Sequence, residues 1–514
     1  MKLVTASQMR RIEDNAVKFG VSKSSLMENA GVKAAEFICS VFDIAGLSIT
    51  IFAGRGGNGG DGCVVARKLC ELGANVTVIL VDGLPSNDLP FAVYNDLLDK
   101  GIKIFNSLLD KICMKSIARQ SDIIVDAISG IGFIGSLKPN IKEACDAINS
   151  VRYTAPIVSL DIPTGIECDT SAYDPHAVRA DYTIVFDSLK PAHLLPKSNP
   201  LCGVVHVVEI GISDKAAKSI AGLSGILTEE QVFSKLLPRA VNSHKGVHGR
   251  LLNISGSLRY RGAASLSCIG ALRAGVGLCF LASTDKVCDA VAALLPEVIF
   301  CPLPDDGSGV ILAENLDELI REELAAAKTV LLGCGLGDGQ HAKNLLEYVL
   351  TNAKCPVVID ADGLNALARN MKLLKNADMP IILTPHLGEM ARLCDATTED
   401  ISADKSGYAS RFAKEHSVTL VLKGNGTLIA TSDGKLWLNP TGNPGLAKGG
   451  SGDVLAGIIA SFAAQGVNAD DACLCGVFLH GLAADKSSER RGEYAMLPSE
   501  LGIDLAEILA ASGR

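Results

Sequence analysis

The segment Thr441 to Gly457, TGNPGLAKGGSGDVLAG, is a glycine-rich loop that ends in a carboxylate and runs straight into an apolar helical pattern. Backbone amides of Gly450, Ser451 and Gly452 at such a helix start form an anion hole suited to a phosphoryl group in transfer. Asp453 then stands where a base takes the proton of an acceptor hydroxyl. The plain alternative is a first-turn aspartate favoured by the helix dipole. A second glycine cluster, IFAGRGGNGGDGCVVAR from Ile51 to Arg67, separates a β-rich run from a helical stretch. Glycines there permit either a tight turn or the approach of amides to a phosphate. No Gly-Lys-Ser/Thr follows, so it is not a P-loop. Two further β-rich runs end in polar or glycine motifs: VDAISGIGFIG, with Asp126 and Gly130 to Gly135, and SLDIPTGIE, with Asp161, Pro163 and Thr164. Ligands of open α/β sheets bind beyond the carboxyl ends of the strands, so these three ends are expected to converge on one crevice.

The elements that must position these groups follow from periodicity. Two helical patterns open the chain, one with Met9, Ile12, Ala16 and Val17 on one face, the other with Leu26, Ala30, Ala34 and Phe37. From Ser48 the runs SITIFAG, NVTVILV, DIIVDAISG, PIVSLDIP, YTIVF and VVHVVEI alternate with helix-length segments, which predicts a Rossmann-like parallel sheet covered on both faces. The pattern dissolves into polar and small residues after Ile212. It resumes with RLLNISG, GLCFLAS, TVLLGCG, PVVIDAD, IILTPH and TLVLKG. The fold class is therefore α/β, with two layered α/β domains, expected at 1–215 and 226–508 with a linker at 216–225. A chain of 514 residues also exceeds what one hydrophobic core supports, roughly 250–300 residues.

Composition excludes several function classes. The formal charge of −9 disfavours nonspecific nucleic-acid or anionic-membrane binding, which needs a basic surface. The sixteen cysteines lie scattered through apolar runs with no C-x-x-C, so they read as buried small hydrophobes in a reducing compartment. Zinc or redox use of Cys473 and Cys475 is the alternative. No signal-peptide pattern opens the chain, and no uncharged apolar run reaches the ~18 residues of a membrane span. The cytoplasm is the expected compartment.

In the first half LMENAG (Leu26 to Gly31), GRGGNGGDG (Gly54 to Gly62), VDAISGIGFIG (Val125 to Gly135) and DIPTG (Asp161 to Gly165) together resemble the YjeF N-terminal domain, an NAD(P)H-hydrate epimerase. The resemblance implies that Asn58, Asp126 and Thr164 bind K+, a hard cation suited to oxygen ligands. It makes Asp161 the acid/base at the hydrated ring carbon. It assigns dinucleotide contacts to Gly57, Asn58, Gly59, Gly60 and Asp61, and to Gly130, Ile131, Gly132, Phe133, Ile134, Gly135 and Ser136. Arg55 stands where this family usually has proline, and Gly57 where it usually has asparagine. The plain alternative for Asp161 is a turn aspartate before proline.

In the second half the Gly-Ser-Gly-Asp ending resembles the ribokinase-like superfamily. HKGVHGRLLNISGS (His244 to Ser257), YRGAASLSCIGALRAGVG (Tyr260 to Gly277), LGCGLG, IDADGLNAL, TPHLGEMARL and LKGNGT occur in order. They narrow the resemblance to the carbohydrate-kinase-related dehydratase branch. That resemblance implies that Ala263, Gly335, His386 and Asp453 contact hydrated NAD(P)H. Lys423, Gly424, Asn425, Gly426, Thr427 and Gly452 would hold the adenine nucleotide. Mg2+ would bridge the nucleotide phosphates, with Glu389 a candidate for its water shell. Cys334, Asn425 and Lys448 replace the usual proline, alanine and threonine. Lys448 adds positive charge beside the anion hole or is a solvated loop lysine, and His386 is alternatively a structural histidine.

Together these imply a bifunctional repair enzyme. It would epimerise the R and S hydrates of NADH and NADPH and dehydrate the S form at the expense of ADP, releasing AMP and phosphate. ATP is the other possible donor. The alternative is a small-alcohol or vitamin-precursor kinase with a non-catalytic N-terminal binding domain. The expected partners are these small molecules, with no nucleic acid or membrane, and a homo-oligomer is the expected assembly.

Overall fold

In the computed structural model every residue is described except 1, 2, 111, 171, 196, 219, 221, 222, 237, 240, 241, 306, 315 and 514. The chain divides into two units, Met1–Leu223 and Ser224–Arg514. Of the expected linker, Ala216 is buried in the core of the first unit, while Gly225–Ile226 pairs into the sheet of the second.

The first unit holds seven strands: β1 (Ser48–Ala53), β2 (Asn75–Leu80), β3 (Lys103–Asn106), β4 (Ile123–Ala127), β5 (Ile157–Leu160), β6 (Tyr182–Phe186) and β7 (Val204–Val208). They form one sheet in the order β3-β2-β1-β4-β5-β6-β7, and every pairing is parallel. Six of the seven are the runs read from the sequence. The seventh, β3, is a short, half-buried edge strand with too few apolar residues to read as one. The strand order reverses between β1 and β4, the position at which such sheets open a ligand crevice. The two opening helices occupy Ala6–Lys18 and Lys23–Val41, and the first begins with a Thr5–Gln8 capping box.

The second unit holds ten strands: β8 (Gly225–Ile226), β9 (Arg250–Ile254), β10 (Leu278–Thr284), β11 (Ile299–Leu303), β12 (Thr329–Leu332), β13 (Val357–Ile359), β14 (Ile381–Leu383), β15 (Thr419–Leu422), β16 (Leu428–Ala430) and β17 (Leu436–Leu438). Their order is β11-β10-β9-β12-β13-β14-β15-β16-β17-β8. The sheet is parallel from β11 to β15, and β16 and β17 add antiparallel hairpins. The helix Ser451–Ala464 is buried along its whole length from Val454 onward. It lies tight against the helix Arg261–Arg273. A Cβ at Gly457 would come within 2.0 Å of Ser267 O, and one at Gly270 within 2.3 Å of Val454 O. This backbone-to-backbone packing fixes the start of the helix, and Asp453 with it.

Candidate active sites

Beyond the ends of β1, β4, β5 and β6 the first unit contains a cavity of about 730 Å³. Gly57, Asn58, Asp61, Gly130, Ile131, Gly132 and Phe133, all expected dinucleotide contacts, line it together with Asp161. Gly59 and Gly60 do not, because they serve packing. A Cβ at 59 would sit 1.9 Å from Gly54 O, and one at 60 would sit 2.6 Å from Met27 Cε. Ile134, Gly135 and Ser136 are also absent from the lining. Ile134 is 83% exposed, and the Gly135 amide donates to Glu167 Oε1 at 3.0 Å. At Gly57 an added Cβ meets nothing within 4 Å, so the residue that departs from the family pattern leaves open space. Arg55 turns its Nε to the Leu84 carbonyl, 3.0 Å away.

Asp161 follows β5 with φ at +60°, a conformation uncommon outside glycine. Its Oδ1 pairs with Lys190 Nζ at 2.5 Å, and the wholly buried Lys190 also donates to Phe186 O at 3.0 Å. His193 braces the turn: its Nδ1 accepts the Lys190 amide at 3.1 Å and its Nε2 donates to the Asp161 carbonyl at 2.7 Å. Those two bonds require the neutral Nε2–H tautomer. Burial, and then Lys190, press the His193 pKa down to about 4, so the ring stays neutral. Two more carboxyls share the cavity. Burial and the neighbouring Asp161 raise Glu13 to about 7, and burial, Asp161 and Glu13 raise Asp61 well above the usual carboxylate range.

Asp126 and Thr164 lie behind the cavity, both wholly buried. Thr164 donates its hydroxyl to Asp126 Oδ1 at 2.7 Å and its amide to Oδ2 at 2.8 Å, and Ser159 donates to Oδ2 at 2.9 Å. Burial still raises the Asp126 pKa against these bonds. Ser129 links this pair to Asn58, for its amide donates to Thr164 Oγ1 at 3.0 Å and its carbonyl accepts Asn58 Nδ2 at 3.0 Å. The Ser129 hydroxyl is buried with no hydrogen-bond partner. A buried oxygen left over beside an amide oxygen, a hydroxyl and a carboxylate suits a hard cation.

In the second unit Gly450, at φ +100°, caps the helix Ser451–Ala464 and places Asp453 in its first turn. The Sγ of Cys334 and the carboxylates of Asp360 and Asp453 present atoms within 4.8 Å of one another. Lys423 pairs with Asp360 Oδ1 at 2.7 Å, and Thr384 donates to the same oxygen at 2.8 Å. Burial, then Asp360, raise Asp453 to about 7, while Cys334 and Lys423 pull the other way. Gly452 borders this pair, since a Cβ there would lie 3.3 Å from Lys423 Nζ. Lys423 to Thr427 form the turn between β15 and β16, closed by Thr427 Oγ1 on the Gly424 carbonyl at 2.9 Å. The hydroxyl of Ser451 is buried without a hydrogen-bond partner, a donor left for a bound group.

Ala263 and Gly335 are brought together, with a Cβ at 335 falling 2.7 Å from that of Ala263. His386 caps the helix Leu387–Cys394: its Nδ1 accepts the amides of Gly388 and Glu389 at 2.9 and 3.3 Å, which leaves Nε2 as the protonated nitrogen. Glu389 Oε2 answers by accepting the His386 amide at 2.8 Å, and burial raises this carboxyl to about 7. Lys448 is not beside the anion hole as a free charge. Its Nζ donates to the carbonyls of Tyr494 and Met496 at 2.7 and 2.6 Å.

Sequence reading missed Glu13, Lys190, His193, Asp360 and Thr384. Glu13 carried a legible signal, because with Met9, Ile12 and Ala16 it falls on the apolar face of the first helix. Lys190 and His193 follow β6, a fourth strand end with no glycine to mark it. Asp360 and Thr384 lie within motifs already noted, but their pairing spans 24 residues of chain.

With this geometry in view, the relatives can be placed. The family described as YjeF-related protein N-terminus matches residues 23–192, and that described as NAD(P)H-hydrate dehydratase matches residues 251–506. The bifunctional NAD(P)H-hydrate repair enzyme Nnr of Moorella thermoacetica is 36% identical over 98% of this chain and 95% of its own. That of Thermofilum pendens is 33% identical over 99% and 97%. A crystal structure of the ADP/ATP-dependent NAD(P)H-hydrate dehydratase from Bacillus subtilis, co-crystallized with ATP/Mg2+, aligns at 32% identity with a TM-score of 0.48, covering 56% of this chain and 98% of that one. Two matched halves in one chain, and full-length relatives that share both, lead to one conclusion: the chain belongs to the family of bifunctional NAD(P)H-hydrate repair enzymes.

Proposed function

We propose that the two sites act in turn on one damaged cofactor, with 1–215 and 226–508 as the working domains. The first interconverts the R and S hydrates of NADH and NADPH, with Asp161 as acid/base at the hydrated carbon. Its substrate lies against Gly57, Asn58, Asp61 and the Gly130 to Phe133 loop, and the flanking Gly59, Gly60, Ile134, Gly135 and Ser136 shape that loop pair. Asn58, Asp126 and Thr164 would hold K+, which neutralises the buried Asp126 carboxylate. The uncommitted Ser129 hydroxyl supports this assignment.

The second site dehydrates the S hydrate. Asp453 takes the proton of the C6 hydroxyl, and the freed oxygen attacks the terminal phosphoryl group of ADP, releasing AMP. Phosphate then departs with the C6–O bond as the ring nitrogen's lone pair forms C=N, and loss of a C5 proton restores the reduced ring. Ala263, Gly335 and His386 would contact the hydrate. Lys423 to Thr427 and Gly452 would hold the nucleotide. Mg2+ would ride on the nucleotide phosphates, and Glu389, with Oε2 engaged in its helix cap, would reach it through water. The observation that carries this reading is Asp453, raised to about 7 beside a lysine-paired carboxylate and in the first turn after a glycine loop. A general base works best with a pKa near the operating pH.

The compartment we assign is the cytoplasm. All sixteen cysteines are free, and no helix among the described residues is long and apolar enough to cross a membrane. The assembly we assign is a homo-oligomer, which light scattering on the purified chain tests. The decisive assay supplies mixed R and S NADH hydrate, Mg2+ and either ADP or ATP, and follows NADH absorbance. Complete conversion with free phosphate is expected, with ADP the preferred donor. A stop at the S fraction would mean a silent first domain, and a stable phosphate ester would return the second domain to kinase chemistry.

A further inference from the structure

The cavity of the first unit holds more acid than its assigned acid/base uses. Asp161, Asp61 and Glu13 all line it, and they come from three different elements: the β5 end, the helix Gly57–Glu71 and the helix Ala6–Lys18. One buried cation faces them, and its geometry commits it to one carboxyl. Lys190 Nζ lies 2.5 Å from Asp161 Oδ1 and spends a second donor on the Phe186 carbonyl. Among the described residues neither the Glu13 nor the Asp61 carboxyl takes a hydrogen bond or an ion pair. Glu13 also lies upstream of residues 23–192, the part matched by the family pattern.

We propose that Glu13 is a second catalytic residue of the epimerase site, the acid partner of the lysine-paired Asp161 across the same cavity. This rests on the epimerase reading above. Inversion at C6 needs the hydroxyl to leave one face of the ring and water to add to the other. Glu13 gives its proton to the departing hydroxyl, and the C6–O bond breaks as the ring nitrogen's lone pair forms C=N. Water then adds to the opposite face, its oxygen bonding C6 as the C=N electron pair returns to nitrogen, and its released proton passes to Asp161. No oxidant, reductant or further reactant enters, and one proton has moved from Glu13 to Asp161. The reverse reaction runs the two roles backward, so both directions need a single proton on the pair.

The surroundings of Glu13 suit that task. Asp161 and Lys190 face it from the strand ends, Asp61 from the helix Gly57–Glu71, Lys23 from the next helix, and Asp14 and Arg10 stand beside it on its own helix. The helix Asp214–Lys218, which packs on the same helix, carries Asp214, Lys215 and Lys218. Burial and Asp161 hold the group near 7, so the shared proton is present below that pH and lost above it.

The test uses the full-length chain with purified S hydrate and no nucleotide, so that dehydration is idle, and separates R from S hydrate by chromatography over time. Glu13→Gln is expected to lower kcat at least roughly 100-fold with KM within about threefold, the scale of a lost general acid. It should also abolish the fall in rate that the wild-type chain shows as pH rises through 7. Glu13→Asp should recover part of kcat. Wild-type kcat in Glu13→Gln, a change in KM alone, or an alkaline limb that persists would each overturn the assignment, and an alkaline limb in Glu13→Asp alone would support it even if the glutamine variant unfolds. A wild-type chain that does not exceed the spontaneous rate would instead overturn the epimerase reading itself.

Discussion

Both sites contain a buried aspartate locked to a lysine, Asp161 with Lys190 in the first unit and Asp360 with Lys423 in the second, at 2.5 and 2.7 Å. They differ in which carboxyl is proposed to do the chemistry. In the second unit the locked pair flanks its neighbour: burial first and then Asp360 raise Asp453 to about 7, while Cys334 and Lys423 hold it down. In the first unit the locked aspartate itself faces the substrate cavity on a strained turn, and the carboxyl at about 7 is Glu13, contributed by a helix far away in sequence. On the proposed roles, the same pair of charges tunes a base in one site and is half of the acid/base set in the other.

The largest expected effect breaks the second half of that comparison. Asp453→Asn should lower the dehydratase kcat by about 10²–10⁴-fold with little change in KM for the S hydrate, read from NADH absorbance. The proposed base works in its ionised form, so the wild-type rate should fall as pH drops through about 7, and a rate flat from pH 8 to 6 would remove Asp453 from that role. Lys423→Met should come next. It strands a buried carboxylate, so urea unfolding should show a loss of about 3–5 kcal/mol. It also removes a charge that lowers the Asp453 pKa, so the acid limb of the remaining activity should move to higher pH. The same change at Lys190 should cost a similar amount in the first unit without moving that limb.

The smallest effects sharpen the reading of the glycine cluster. Gly59→Ala places a Cβ 1.9 Å from the Gly54 carbonyl and should destabilise the first unit by about 1–3 kcal/mol, as overpacking does. Gly57→Ala meets open space and should stay within about 0.5 kcal/mol of wild type. Equal losses in thermal melts would mean that the fold constrains position 57 as it does position 59.

Local pattern was enough for the two layered sheets, because parallel strands buried on both faces write themselves as apolar runs and their helices as 3.6-residue stripes. It also singled out Asp453 and Asp161, which lie in the two candidate sites, since a glycine loop or a proline turn at a strand end has a local cause that chain order preserves. The short, half-buried β3 and the small strands β8, β16 and β17 carry too few residues to show a period, and the edge strand β11 (Ile299–Leu303), also missed, buries only Leu303 fully. What only the tertiary structure decided is who neutralises whom. Lys190 reaches Asp161 across 29 residues and Lys423 reaches Asp360 across 63, while Glu13 lines the same cavity as Asp161 from the first helix. Charges act through space in a poorly screened interior, and sequence records neighbours along the chain, so motifs name some of the carboxyls but only the folded sheet determines which others join them and which keeps a proton.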